Sequence, residues 1–329
     1  MSSYYALKAP ERVYFIYRTE DGALICRHNE KGRLSPEVCL LDGARKHFTA
    51  ALRNGEPVLF CQDEEGNTLM FAERGGEWFS RPARHNPGCR DMLITPMFGE
   101  HGMYIIHNEE EGDGKYLCGR HTNEKGVWQP ALRIDAYLPL YREPYEAQAT
   151  SASHTLLFYQ SGAGENLLGY REITPTRFGP YQRIHSGKNI MDASFLTTED
   201  AVFALFVVRS VFSSQLLFRY RAEAAFSAPL LLWEAPKIDD VLLMFINGKL
   251  YATCVSGNRL YTAISENRGA SFSKMDIYKG KFCFEPAKAA FAASVPQRED
   301  TLFARQIYID RNAPWDAQMT PEMYEKFYE

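Results

Sequence analysis

Residues 47–83 read HFTAALRNGEPVLFCQDEEGNTLMFAERGGEWFSRPA, and this stretch decides the fold. Its apolar segments are short and are separated by turns rich in Gly and Asn, which is typical of strands joined by hairpins. Gly and Asn accept the positive φ that tight turns require. The stretch therefore predicts four strands and three turns, with strands at His47 to Leu52, Val58 to Cys61, Thr68 to Ala72 and Phe79 to Ala83.

The same order of strands and turns returns about every 45 residues along the chain. A four-stranded antiparallel unit repeated in this way predicts an all-β fold, a single β-propeller. Second strands such as Ala201 to Val208 are continuous apolar runs, as expected for strands covered on both faces. First strands of the other units are predicted at Ser3 to Leu7, Asp91 to Met97, Ala147 to Ala152, Asp192 to Leu196, Asp240 to Ile246 and Ala287 to Ala293.

The number of blades has two solutions. We predict seven blades over residues 1–310, the last one incomplete or completed by a terminal strand. The alternative is six blades, in which Ala287 to Ala293 joins three strands between Val13 and Leu40. In both solutions the two termini meet, because a ring must cover its edge strands. Residues 311–329 are predicted to be a tail with a short helix, which packs on the propeller or on a partner.

Charge and cysteine usage restrict the class of protein. The 329 residues include 37 basic and 41 acidic side chains, a net charge of −4. This balance provides no global basic field for nucleic acid or for an acidic membrane surface. The seven cysteines are scattered without a CxxC pair, which favours buried thiols over disulfides or zinc. Together with an N-terminus that lacks a leader pattern, this predicts a cytoplasmic protein without a metal or cofactor.

One turn between third and fourth strands carries a family resemblance. Ser265-Glu266-Asn267-Arg268-Gly269-Ala270-Ser271-Phe272 is similar to the Asp-box, or BNR repeat, of sialidase-like propellers, written S-x-D-x-G-x-x-W. Asn267 stands at the Asp position and Phe272 at the Trp position. A polar cap, a left-handed Gly and an aromatic side chain inserted between blades make such a box an element of the fold. Weaker echoes occur at Asn123 to Trp128, Asn29 to Gly32 and Arg74 to Trp78.

The catalytic pattern of sialidases is not matched. The resemblance would imply an early Arg-Ile-Pro segment, an arginine triad, a Tyr nucleophile assisted by Glu and an acidic acid/base residue. The chain contains no Arg-Ile-Pro segment, and its nearest early stretch is Tyr17-Arg18-Thr19-Glu20. No catalytic residue can be assigned, so the sequence favours a protein that is not an enzyme.

The loops that enter the first strands are predicted to meet at one mouth of the central channel. Most contain a basic residue followed by an acid. One interpretation is a polar funnel that binds an anionic or sugar-like ligand. The alternative is a set of inter-blade salt bridges and solvated turns, which recur because the blades recur. The candidate ligand-binding residues are Arg45, His47, Arg90, Asp91, Arg142, Lys188, Asp192, Lys237, Asp240 and Lys281.

Two segments are predicted to contact a partner. The connection from Asp135 to Glu146 contains three tyrosines and two prolines, which suits either a recognition surface or a plug over the channel. The tail is the other segment, and it docks either on the propeller itself or on a second subunit. The candidate partner-binding residues are Tyr137, Tyr141, Tyr145, Trp315, Tyr324 and Phe327.

Two functions follow from these patterns. The first is a noncatalytic scaffold that binds a protein partner or its own copy through loops and tail. The second is a carbohydrate-active hydrolase or lyase, or a glycan-binding protein, that uses the channel mouth. Fold does not decide between them, since propellers support both kinds of function.

Overall fold

Every regular element in the described part of the chain is a β-strand. Within that part there is no helix that could span a membrane. The structure is a computed structural model that describes residues 4–84, 91–99, 102–123, 125–139, 143–151, 154–162, 164, 166–174, 177–198, 200–223, 225–257, 259–277, 284–291 and 306–310.

The chain groups into two compact units, Met1–Asp135 with Ala287–Pro296 and Ala136–Pro286 with Gln297–Phe327. We number the four-stranded repeats in chain order. The first unit contains repeats 1 to 3, whose first strands begin at Tyr4, Phe48 and Ile94. The last strand of repeat 3 begins in the first unit and ends in the second. These strands are β1 (Tyr4–Lys8), β2 (Arg12–Arg18), β3 (Leu24–Glu30), β4 (Arg33–Leu34), β5 (Val38–Leu41), β6 (Phe48–Arg53), β7 (Glu56–Gln62), β8 (Thr68–Arg74), β9 (Glu77–Arg84), β10 (Ile94–Gly99), β11 (Gly102–Glu111), β12 (Gly114–His121) and β13 (Leu132–Leu138).

The second unit contains repeats 4 to 6, built in the same way. Two further strands follow repeat 6, and the first of them, Phe284–Phe291, lies mostly in the first unit. These strands are β14 (Glu146–Ser151), β15 (His154–Ser161), β16 (Leu167–Thr174), β17 (Arg177–Phe178), β18 (Gln182–Ser186), β19 (Ile190–Thr197), β20 (Val202–Arg209), β21 (Ser214–Arg221), β22 (Leu230–Ala235), β23 (Asp240–Ile246), β24 (Lys249–Ser256), β25 (Arg259–Ser265), β26 (Asp276–Ile277), β27 (Phe284–Phe291) and β28 (Gln306–Asp310).

Repeat 2 shows why the sequence folds into these sheets. Its four strands β6 to β9 pair in chain order, each antiparallel to the next. Asn54 and Gly55 turn the first hairpin with φ of 53° and 82°, which is the left-handed region that these two residue types tolerate. The predicted four strands and their turns are therefore confirmed in this repeat.

The hydrophobic core lies between neighbouring repeats rather than within one sheet. In repeats 5 and 6, strand β20 contributes Phe203 and Leu205 to the same buried cluster as Leu243 and Ala252 of β23 and β24. Repeats 1 and 2, 2 and 3, and 4 and 5 share clusters of the same kind. The continuous apolar second strands are explained by this arrangement, because both of their faces are covered.

The fourth strand carries one extra residue in four of the repeats. In each case two neighbouring residues of the third strand pair with residues that are two apart on the fourth strand, a β-bulge. The extra side chain is apolar and packs into the cluster shared with the adjacent repeat. The bulged residues are Leu40 on β5, Ala83 on β9, Ile184 on β18 and Leu232 on β22.

The turn at Ser265 has the hydrogen bonds expected of a capped box. Ser265 Oγ accepts from the backbone N–H of Gly269 at 2.8 Å, and Asn267 Oδ1 accepts from the N–H of Ser271 at 2.9 Å. Gly269 has φ of +87°, and a Cβ there would lie 2.6 Å from the ring of Phe218. The turn therefore requires glycine both for its backbone angle and for space.

Aromatic side chains next to these turns join neighbouring repeats. Phe272 meets Phe218 of β21 edge to face, with ring centroids 4.8 Å apart. In the echo at Asn123, the Oδ1 atom accepts from the N–H of Val127 at 2.9 Å, and Trp128 packs on the cluster shared by repeats 2 and 3. The predicted role of the boxes as elements of the fold is thus observed at both turns.

The thiols follow the predicted pattern in most positions. Cys26, Cys61, Cys118 and Cys254 are buried, and Cys39 is exposed. Burial raises the pKa of Cys61 and Cys254 to about 12, which keeps these thiols protonated and unreactive. Among the described residues, no cluster of three or more His, Cys, Asp or Glu could hold a metal ion.

The first strand lies beside a strand from the C-terminal part of the chain. β1 pairs antiparallel with β2 on one side and parallel with β27 on the other, with Tyr5 opposite Lys288. The expectation that the two termini meet stays a prediction beyond this strand pair, because residues 311–329 lie outside the described part of the chain. The choice between seven and six blades, and the division into residues 1–310 and 311–329, stay predictions. The predicted helical tail lies outside the described residues.

Candidate functional site

The residues predicted at the channel mouth have different environments. Arg90, Arg142 and Lys281 lie outside the described part of the chain. The other seven divide by exposure into buried, half-buried and exposed side chains. His47, Asp192 and Asp240 are buried, Arg45 is half-buried, and Asp91, Lys188 and Lys237 are exposed.

Asp192 holds two strands together. It lies near the start of β19 and is 5% exposed. Its Oδ1 accepts from the backbone N–H of Ala193 at 2.9 Å, and its Oδ2 accepts from the backbone N–H of Val241 at 3.2 Å. Two backbone donors stabilise the charged form of a carboxylate. Asp192 therefore ties the first strand of repeat 5 to the first strand of repeat 6.

Further ties connect the first strands of the second unit. Ser194 Oγ accepts from the N–H of Leu243 at 3.0 Å. Gln148 on β14 donates through Nε2 to the carbonyl of Phe195 at 2.7 Å. These contacts join neighbouring repeats through hydrogen bonds from side chain to backbone.

The charged pair in the next loop is local. Lys237 Nζ contacts Asp239 Oδ1, and the two residues lie in the same loop before β23. Asp239 Oδ2 also accepts from the N–H of Gly257 at 3.2 Å, and Ser256 Oγ donates to the carbonyl of Lys237 at 2.6 Å. Basic and acidic residues at this entry loop thus brace the loop. Ligand binding at the predicted mouth stays a prediction.

The tyrosines predicted to contact a partner are placed in the interior where they are described. Tyr137 is 4% exposed and Tyr145 is 1% exposed. Tyr141, Trp315, Tyr324 and Phe327 lie outside the described residues. Partner binding by this set stays a prediction, and it now depends on residues other than the rings of Tyr137 and Tyr145.

A cluster that the sequence did not suggest lies at the boundary of repeats 1 and 2. We call it the Arg12 cluster. The Arg12 guanidinium donates through Nε to Glu30 Oε2 at 2.9 Å and through Nη1 to Glu73 Oε1 at 3.3 Å. One cation therefore bridges two carboxylates from adjacent repeats. The cluster comprises Arg12, Tyr14, Glu30, Glu73 and Trp78.

The Arg12 cluster is buried at one end and open at the other. The side chains of Arg12 and Glu30 are 33% and 35% exposed, whereas that of Glu73 is 6% exposed. Glu73 Oε2 has no hydrogen-bond partner among the described residues. A buried carboxylate oxygen without a donor costs free energy, which a hydrogen bond from a water molecule or a ligand hydroxyl would offset.

Two aromatic side chains complete the Arg12 cluster. Burial raises the pKa of the Tyr14 hydroxyl, and the neighbouring Glu73 carboxylate raises it further, so the hydroxyl stays a donor. Trp78 is directly opposite Glu73 in the pairing of β8 with β9, so the two side chains share one face of the sheet. The cluster thus combines a guanidinium, two carboxylates, a phenol and an indole.

Part of this cluster carries a signal in the sequence. Arg12 and Glu30 are opposite each other in the β2–β3 hairpin, where opposite charges attract. The pairing register of one hairpin could therefore have revealed this pair. Glu73 belongs to the next repeat, and nothing in the spacing of the sequence relates it to Arg12.

The chain is similar to known proteins at the level of solved structures. No protein-family model matches the chain, and no curated protein sequence matches it. Several solved structures match over most of their length. The fucose-specific lectin from Aleuria aurantia has a TM-score of 0.53 at 9% identity, covering 85% of this chain and 96% of that one.

Two further structures agree. The Aleuria aurantia lectin in complex with Fucα1-6GlcNAc has a TM-score of 0.52 at 10% identity over 84% of this chain and 95% of that one. A triple arginine-to-alanine mutant of AofleA from Arthrobotrys oligospora has a TM-score of 0.50 at 10% identity over 89% and 90%. The lectin neighbours are β-propellers. The fold is that of a β-propeller. At this level of identity the likeness extends to the fold alone, and the predicted propeller architecture is confirmed to that extent.

Proposed function

We propose that this β-propeller binds a carbohydrate ligand at the Arg12 cluster without cleaving it. The observation that carries the proposal is the buried Glu73 Oε2, an acceptor without a donor beside a half-open guanidinium and carboxylate. The fold is that of proteins named as fucose-binding lectins, which supports binding of glycans over the scaffold function that the sequence favoured.

The chemistry of the cluster suits a sugar. Hydroxyl groups donate to carboxylates and accept from guanidinium N–H groups, and Arg12 has five N–H donors of which two are engaged by Glu30 and Glu73. The apolar face of a sugar ring can pack on an indole such as that of Trp78. Two carboxylates and one guanidinium sum to −1, so the cluster favours neutral over acidic sugars.

Binding without bond cleavage follows from the same contacts. A general acid must hold a proton at neutral pH and release it to the leaving group. Glu30 and Glu73 both accept hydrogen bonds from Arg12, so each already has a structural partner. At the predicted channel mouth, the Asp192 carboxylate is engaged by two backbone N–H groups.

The proposal also includes two finer statements about the fold. We propose that the chain belongs to the sialidase-like Asp-box family and that its propeller has seven blades.

The test is a glycan array followed by calorimetry with the best ligand. We expect Glu73→Gln to weaken binding by about ten- to a hundredfold, because a charged hydrogen bond contributes roughly 1.5–3 kcal/mol. The matched control is Glu37→Gln, since Glu37 also pairs with an arginine and a tyrosine of repeat 1. Absence of any glycan ligand, or equal affinity for both variants, would contradict the proposal.

Association with a second copy is the other candidate, favoured by one surface feature. Val211 and Phe212 are 88% and 90% exposed at the tip of the β20–β21 hairpin. Three hydrogen bonds between Ser210 and Ser213 brace this tip, so the apolar pair is held outward. Light scattering of the wild type and of Phe212→Ser tests this function. A concentration-independent monomer in both would eliminate it.

A further inference from the structure

Three basic side chains lie near one another at the boundary of repeats 4 and 5, and no ion pair with a carboxylate is seen for them among the described residues. Arg183 and His185 are on β18, and Arg219 is on β21 of the next repeat. We call these three the Arg219 cluster. We infer that the Arg219 cluster binds an oxyanion, the sulfate, phosphate or carboxylate group of a ligand.

Arg219 is fixed in place by backbone carbonyl groups. Its Nε donates to the carbonyl of Ser227 at 2.6 Å, its Nη1 to that of Ile184 and its Nη2 to that of Phe226 at 3.4 Å. Carbonyl oxygens carry no net charge, so they orient the guanidinium and leave its positive charge uncompensated. Two of the five N–H donors are not engaged by these bonds and can meet an anion.

Arg183 supplies a second cation at the same place. It is exposed, and it precedes Ile184, whose carbonyl accepts from Arg219. Within the described part of the chain no hydrogen bond or ion pair engages the Arg183 side chain. Burial lowers the pKa of Arg219, and the charge of Arg183 lowers it further. The two guanidinium groups therefore repel each other, and a bound anion would relieve this repulsion.

His185 can add a third positive charge. Its ring packs against Phe206 of β20, with centroids 4.8 Å apart. Burial lowers the pKa of His185, and Arg219 lowers it further, so the ring is neutral at pH 7. An anion between these groups would favour the protonated ring. Binding should therefore strengthen as the pH falls.

Other charged groups at this boundary leave the balance positive. Arg221 donates to the Tyr170 hydroxyl from the same face of β21 as Arg219. Glu172 on β16 is exposed, and its charge raises the pKa of Tyr170. Glu223 follows Arg221 by two residues, and its carbonyl accepts from Arg221 Nε at 2.7 Å. The named groups therefore comprise three arginines and two exposed carboxylates.

A comparison within the chain supports the assignment. Arg27 of repeat 1 corresponds to Arg219, because each donates through Nε to the carbonyl of the serine eight residues further along. Arg27 lies 3.6 Å from the Glu37 carboxylate. Arg219 instead donates to the carbonyl of Ile184, next to Arg183, and the neighbouring charge that lowers its pKa is the cation of Arg183. The arginine at this structural position is paired with a carboxylate of the protein in repeat 1. In repeat 5 the corresponding arginine is available to an anionic ligand.

Calorimetric titration of the full chain with sodium sulfate, sodium phosphate and sodium acetate tests the inference, with sodium chloride at matched ionic strength as reference. We expect saturable binding of at least one oxyanion, and the preferred one identifies the group in the natural ligand. Arg183→Gln should weaken binding at least tenfold. Arg209→Gln, which changes another exposed arginine of the second unit, should bind like the wild type.

The inference is overturned if no oxyanion binds saturably, or if Arg183→Gln and the wild type bind alike. Circular dichroism checks that the exposed Arg183 can be replaced without unfolding. Sulfate is the probe for the pH dependence, since its charge is constant between pH 7.5 and 5.5. The Arg219 cluster shares no residue with the Arg12 cluster, so a failed glycan array leaves this result intact.

Discussion

The Arg12 cluster and the Arg219 cluster occupy boundaries between repeats, yet they have opposite charge. At the first boundary one guanidinium bridges two carboxylates, and one carboxylate oxygen is left over. At the second, the guanidinium of Arg219 is held by backbone carbonyl groups, and the nearby charge of Arg183 lowers its pKa further than burial does alone. The backbone repeats while the side chains that line its boundaries do not. Under the two proposals, ligand choice would be set at individual boundaries between repeats.

The largest effect should come from removing the cation that the first boundary depends on. Arg12→Leu leaves the Glu73 carboxylate buried without its ion pair. Loss of one partner of a buried pair typically costs 3–5 kcal/mol, and we expect about 2 kcal/mol here because Arg12 is partly exposed. Urea denaturation measures this change.

The control for that measurement is an ion pair at the surface. Arg268 and Asp200 are 55% and 61% exposed, so Arg268→Leu should change the free energy of unfolding by less than about 0.5 kcal/mol. If the two substitutions lower the free energy of unfolding equally, the burial of Glu73 does not make the Arg12 ion pair more important than a surface ion pair.

A charge reversal should convert the second boundary into the arrangement seen at Arg27. Arg183→Glu places a carboxylate beside Arg219, as Glu37 is placed beside Arg27. We expect the variant to lose oxyanion binding and to gain about 0.5 kcal/mol of stability, since a half-exposed ion pair contributes little. Calorimetry and urea denaturation provide the two readouts. A variant that still binds sulfate would show that Arg183 does not face the anion.

The smallest effect should be a change in pH dependence. The pKa of His185 is lowered in the folded protein, so the unfolded chain takes up this proton first. The contribution of His185 to stability is complete above the unfolded pKa of about 6.5 and is lost as the pH falls towards the folded value. His185→Gln should therefore lose less stability than the wild type between pH 7.5 and 5.5.

The readout for His185 is the urea midpoint at the two pH values, measured without oxyanions. Sulfate should reduce the pH-dependent loss in the wild type, because the anion stabilises the protonated ring. Parallel curves for wild type and variant would remove His185 from the Arg219 cluster.

Features set by short-range chemistry were predictable from the sequence. The turn at Asn54-Gly55 requires positive φ, and only a few residue types supply it. The capped turn at Asn267 was recognisable because its polar cap and glycine are close along the chain. The apolar second strands were recognisable because burial on both faces leaves a continuous run.

Features that depend on pairing between distant residues were missed. The extra residue at Ile184 leaves no mark in composition, since a bulge is defined by the partner strand. Arg12 and Glu73 meet only after two repeats have packed. The hydrogen bond from an arginine Nε to a later serine carbonyl did leave a signal in the sequence, because Arg27 to Ser35 and Arg219 to Ser227 have the same spacing. Asp192 was found as a candidate, but its bonds to the backbone could not be read from the sequence.

The bulges on the outer strands have a consequence for behaviour in concentrated solution. A regular edge strand with unpaired backbone N–H and C=O groups can pair with another chain and begin ordered aggregation. The additional residue at Leu232 interrupts that regularity on β22, where Leu230 and Leu231 are 39% and 50% exposed. We therefore expect the bulged residue, which fills the interior, also to disfavour the pairing of this edge strand with another chain.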